Sequence, residues 1–205
     1  MKGLILKDLM GLKKIAKNYL IFILFYAIIA SFSNMHAMFG GIIMIFAFML
    51  PITAMSFDER SKWDSYALTM PISRKDLVLS KYALGLIFAA GSTIINLLYT
   101  LLIAKESFST GTLTCVALFF VGMLFFSIIY PILLKYGVEK GRLTMILVFL
   151  APTIIIMVLA KFFPEISLPS ENVLKSLAII LPIVITIMYV ASIFISFKIC
   201  NKKEM

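Results

Sequence analysis

"SFDERSKWDSYALTMPISRKDLVLSK", Ser56 to Lys81, is the longest stretch of the chain without an apolar run of membrane length. It carries nine charged residues, Asp58, Glu59, Arg60, Lys62, Asp64, Arg74, Lys75, Asp76 and Lys81, in a 205-residue chain that is 62% hydrophobic and 14% charged. Soluble domains carry about 25% charge, so the rest of the sequence reads as a chain solvated by lipid. Outward from this stretch lie uncharged runs at 19–35, 37–57, 82–104, 110–134, 143–160 and 176–197. A helix needs about 20 apolar residues to cross the hydrocarbon layer, and period-two alternation is absent, so the runs predict six transmembrane helices. The expected fold is an all-α integral membrane protein.

Basic residues set the orientation, because Lys and Arg collect on the cytoplasmic side. Of the 19, 16 fall before span one, between spans two and three, between four and five, or after span six, and only Lys105, Lys161 and Lys175 fall on the other side. Both termini are therefore expected inside, and the net charge of +9 sits on the inner face. The run from Tyr19 begins too late for the basic start of a cleavable leader and is read as a retained span.

Residues 1–18, "MKGLILKDLMGLKKIAKN", predict an interfacial amphipathic helix. Wound at 100° per residue, Leu4, Ile5, Leu9, Leu12, Ile15 and Ala16 share one arc, and Lys2, Lys7, Lys13, Lys14 and Lys17 share the other. The apolar arc is expected in the acyl boundary. Asp8 breaks the pattern: either it pairs with a basic residue of another element, or the helix is partly lifted from lipid. Residues 19–205 form the six-helix domain, with inner segments at 57–81 and 135–142.

Within the opening stretch, Ser56 with Glu59 and Ser73 with Asp76 each match a capping box, implying two helix starts. A short helix over 58–70 is expected, ended by Pro71, and a second is expected to run from Ser73 straight into span three. Trp63 and Tyr66 suit a headgroup anchor. Mixed charge at Asp58, Glu59 and Asp64 suits a protein groove better than lipid.

The motifs of common catalysis are missing. There is no G-x-x-x-x-G-K-[ST], no G-x-S-x-G, and with one histidine, His36, no H-E-x-x-H. Cys115 and Cys200 lack metal or redox spacing. No Asp, Glu, Lys or Arg lies inside a span, against ion-coupled transport. Ser92, Thr93, Asn96, Thr53, Thr153 and Thr186 are the polar span residues, and Asn96 is either interhelical glue or pathway lining. Pro51, Pro131, Pro152 and Pro182 are expected to bend their helices.

Six spans, inner termini, two short inner segments and no nucleotide site together resemble the permease subunits of ABC-2 type ABC transporters. "DERSKWDSYALTMPISRKDLVLSKY" looks like that family's acidic inner helix and its turn into span three, and "YPILLKYGVEKGR" (Tyr130–Arg142) is similar to the inner loop of small bacterial ABC-2 permeases, including those of phenol-soluble modulin exporters. The outer loop "KFFPEISLPSENVLK" is shorter than in larger members. The resemblance implies two permease chains, identical or closely related, in the bacterial cytoplasmic membrane, with two separate ATPase subunits below. ATP and Mg belong to those subunits, and this chain is expected to have no cofactor, metal or catalytic site. The ATPase-coupling residues implied are Asp58, Glu59, Arg60, Trp63, Asp64, Tyr66, Arg74, Lys135, Gly137, Glu139 and Lys140, with Asn96 and Thr93 on the pathway. Export of a hydrophobic peptide, a toxin or antimicrobial peptide, is the function implied. The alternatives are an ATPase-independent channel, a regulatory membrane protein and a membrane enzyme.

Overall fold

The structure is a computed structural model that describes residues 2–33, 36–67, 69–104, 108–162 and 171–202. Among these residues there is no strand. Seven helices follow one another: α1 (Lys2–Ser33), α2 (His36–Arg60), α3 (Trp63–Ala67), α4 (Arg74–Tyr99), α5 (Phe108–Tyr136), α6 (Val138–Phe162) and α7 (Glu171–Lys202). A π-helical turn, Thr100–Ala104, extends α4. Among the described residues, five helical stretches are long and apolar enough to cross a membrane, Lys2–Phe32, Met38–Arg60, Arg74–Ile103, Thr110–Tyr136 and Ala178–Lys202. The remaining uncharged run, 143–160, lies within the 25-residue helix α6. Residues 34–35 between α1 and α2, and 163–170 of the outer loop expected after span five, lie outside the described residues.

A buried core ties the bundle together. Met44 and Phe48 of α2, Tyr82 and Ala89 of α4, Phe126 and Tyr130 of α5, and Ile185 and Tyr189 of α7 form one cluster. Many large apolar side chains elsewhere point outward, such as Leu20, Leu24 and Ile28 on α1 and Ile183 and Ile187 on α7. That is the distribution of a bundle whose outer solvent is hydrocarbon, where apolar exposure carries no penalty. Pro51, Pro131 and Pro182 all lie inside continuous helices.

Two expectations for the charged stretch change. Ser56 starts no helix, because α2 runs unbroken through it to Arg60. The spacing of a capping box is also the i, i+3 spacing of a helix interior, and burial of Met55, Ser56 and Asp58 carries α2 past the expected boundary. The expected helix over 58–70 shrinks to the five residues of α3. Between α2 and α3 the chain turns at Lys62, which takes φ 51. Here the Ser61 amide donates to Phe57 O at 3.0 Å and the Lys62 amide to Glu59 O at 3.2 Å. The second start is as expected: Ser73 caps α4 with φ −81 and ψ 152, and its capping box with Asp76 is complete.

The N-terminal segment also differs. Residues 2–33 form one helix, and most of the apolar arc of its first turns packs on protein, Leu9 excepted. Leu12 is buried with Leu50 and Ala54 of α2 and Leu84 of α4, and Ile5, Ile15 and Ala16 pack beside them. Leu4 joins Ala67 of α3 and Leu77 of α4. Packing on α2 and α4 takes up part of the arc expected in the acyl boundary, while Leu6, Leu9 and Met10 of the same turns stay exposed.

Candidate functional site

At the basic end, four charged side chains from three helices meet. Lys81 of α4 donates to Asp8 Oδ2 of α1 at 2.7 Å and to Asp58 Oδ2 of α2. Lys7 of α1 lies 3.0 Å from Asp8 Oδ1 and 2.5 Å from Asp58 Oδ1. Asp8, Asp58 and Lys81 are buried. Two carboxylates and two ammonium groups form a neutral ring, which offsets the large cost of taking each charge out of water. Asp8 thus sits on the packed arc because its partner waits on α4.

The neighbouring carboxylate does something different. Glu59 Oε2 accepts from the Val138 amide at 2.5 Å, capping the first turn of α6. An acidic group at a helix N-terminus is favoured by the free amides and by the helix dipole. Gly137, at φ +82, makes the turn from α5 into α6, and a Cβ there would collide with the Glu59 carboxylate. At the other side, Arg74 Nη1 donates to Cys200 O at 2.9 Å and Asn201 O at 3.1 Å, closing the end of α7. Trp63 packs with Leu4, Ala67 and Leu77 and lies under Lys7, whose Nζ is 4.3 Å from the ring centroid. A cavity of about 60 Å³ beneath is bordered by Asp58, Glu59, Asp64, Lys81, Gly137 and Val138.

Residues 3–201 match the family model described as ABC-2 family transporter protein. The chain belongs to the ABC-2 transporter family. No curated protein and no solved structure matches it. The chain is a multi-pass membrane protein and the permease component of an ABC transporter, a family that works with ABC ATPase partners.

On this permease the eleven residues expected to couple to an ATPase divide into two sets. Asp58, Glu59 and Arg74 are engaged within the chain, Trp63 is half-buried under Lys7, Asp64 borders the small cavity, and Gly137 forms the turn. Arg60, Tyr66, Lys135, Glu139 and Lys140 face outward. Charge alone separates neither set, since each contains both signs. Lys7, Asp8 and Lys81 complete the ring although none of them belonged to the expected site. Asp8 was marked by standing on an apolar arc, while Lys81 is distinguished in the sequence only by being the last charge before span three.

The two polar residues expected on the pathway also part. Asn96 is buried, donates to Cys115 Sγ of α5 at 3.3 Å, and lies against Gly40 of α2, where a Cβ would meet its amide at 2.8 Å. Thr93, whose hydroxyl donates to Ala90 O at 2.8 Å, borders an open cleft of about 320 Å³ between α4 and α5. Leu97, Thr112, Cys115, Val116 and Phe119 also border it. Among the described residues, no three His, Cys, Asp or Glu side chains are grouped to hold a metal.

Proposed function

We propose that two copies of the permease form the pathway of an ATP-driven exporter for a hydrophobic or amphipathic peptide. Two separate ATPase subunits bind the basic end from the cytoplasm and hydrolyse ATP at their own Mg-dependent sites. The reading takes six spans with both termini inside, an orientation that the lopsided distribution of basic residues supports.

One observation carries the reading. The two inner segments that would meet an ATPase are joined to each other by Glu59 on the Val138 amide and to α4 by Asp58 on Lys81. A push on the outward residues Arg60, Tyr66, Glu139 and Lys140 therefore moves one body that includes the start of α4. Contacts that differ between the nucleotide states of the ATPase pair supply the shift, since equal contacts would move nothing. The apolar cleft beside Thr93 suits a cargo recognised by apolar surface, and 13 Met with 18 Phe give the chain soft, adaptable walls.

The outward and engaged residues separate docking from transmission. Arg60→Glu with Lys140→Glu is expected to reduce co-purification of the ATPase while the permease keeps its thermal stability. Asp58→Asn is expected to keep co-purification and lose ATP-dependent peptide transport in vesicles. Unchanged co-purification in the first variant, or ion conduction by the reconstituted permease alone, would replace this reading with an ATPase-independent channel.

A further inference from the structure

We propose that a cleft between the ends of α5 and α7 is a binding site for one anionic phospholipid. Its phosphate is held by Lys135, Lys198 and Lys202, and its acyl chain lies along Ile195 and Ile199. The cleft has a volume of about 520 Å³ and is lined by these five residues. On α7 they fall at 195, 198, 199 and 202, the i, i+3, i+4, i+7 spacing of one helix face. Arg74 fixes the last turn of that helix through Cys200 O and Asn201 O, so the two α7 lysines keep a common side.

The level of the cleft decides the occupant. The uncharged run of span six ends at Phe197 and that of span four at Leu134, so all three lysines follow immediately or within one turn or so of the apolar boundary. Ile195 lies on the hydrocarbon side of that boundary. Lysine stems run along apolar surface while their ammonium groups reach the headgroup layer. Among the described residues, none of the three forms an ion pair with a carboxylate, and Lys135 Nζ lies 5.0 Å from the centroid of the Tyr136 ring. Three exposed cations attract a counter-charge at phosphate depth, and the two isoleucines offer apolar surface to a chain beside it. An anionic lipid supplies both, whereas a free anion leaves the isoleucines bare and an acidic protein surface stops at the headgroups. This inference rests on membrane embedding and not on peptide export or ATPase docking.

Native mass spectrometry of the full chain in neutral detergent, with phosphatidylglycerol or phosphatidylcholine added, tests it. Retention of phosphatidylglycerol over phosphatidylcholine is expected, undiminished by excess inorganic phosphate. K135Q/K198Q/K202Q is expected to weaken retention about tenfold or more, while K13Q/K14Q/K17Q on α1, with the same loss of charge, leaves it intact. I195S/I199S, which keeps every lysine, is expected to weaken it as well. Equal losses in the two lysine triples, no loss in the cleft triple, or displacement by inorganic phosphate alone would overturn the proposal. Loss of ATPase co-purification with lipid retention unchanged would assign the lysines to a protein surface and overturn it too. Should the cleft triple fail to match the thermal unfolding of the parent, K198Q and K202Q singly are read against the same outcomes.

Discussion

Lys81 reaches across 73 residues of sequence to donate to the Asp8 carboxylate at 2.7 Å, with both groups buried at the meeting of α1 and α4. The contact makes the N-terminal helix part of the bundle, since Lys81 holds Asp58 of α2 at the same time.

Removing one member of such a ring strands a buried charge. Lys81→Met is expected to destabilise the permease by about 3–5 kcal/mol. Asp8→Leu with Lys81→Met leaves the neutral pair Lys7–Asp58 and is expected to recover much of that loss. Thermal unfolding in detergent, followed by the fluorescence of Trp63, the single tryptophan, measures both.

Glu59 and Gly137 are coupled by contact, so their variants are expected not to add. Glu59→Ala removes the cap on α6 and is expected to cost about 1 kcal/mol. Gly137→Ala adds a side chain at φ +82, costing about 1–2 kcal/mol in backbone strain, and drives it against the carboxylate. In a Glu59→Ala background the collision is gone and only the strain remains. A double-mutant cycle on unfolding temperatures reads the difference.

Lys62 holds the left-handed turn between α2 and α3 at φ 51 without the freedom of glycine. Lys62→Gly is expected to raise stability by up to about 1 kcal/mol, because glycine takes that conformation without steric cost. A lower unfolding temperature would mean that the lysine side chain contributes more than its backbone strain removes.

Two buried tyrosines are expected to respond in opposite ways to loss of the hydroxyl. Tyr82 Oη lies 2.6 Å from Ser192 Oγ and 2.8 Å from Ser196 Oγ, joining α4 to α7. Tyr82→Phe is expected to cost about 1–2 kcal/mol. Tyr130 Oη is buried with no hydrogen-bond partner among the described residues, against Gly85. Tyr130→Phe is expected to be neutral or stabilising, and unfolding temperatures of the two variants decide it.

The charged stretch shows what was legible and what was not. Ser73 with Asp76 announced the start of α4, because a capping box after Pro71 has a local cause, free amides needing acceptors. Ser56 with Glu59 has the same spacing and starts nothing, because packing continues α2 through it. Glu59 instead caps a helix 79 residues away. Asn96 was legible as a residue needing a partner, and Cys115 as that partner was not.

From the amino-acid order alone came the helices, their membrane solvent and the charged end, since hydrocarbon admits only backbones that satisfy themselves locally and uncharged runs mark where they do so. Which charges face outward and which close a ring, and which tyrosine finds a partner, were decided by tertiary packing. Those outcomes depend on side chains brought together from distant helices, and a burial free energy of a few kcal/mol per ion, which no local spacing encodes, selects among them.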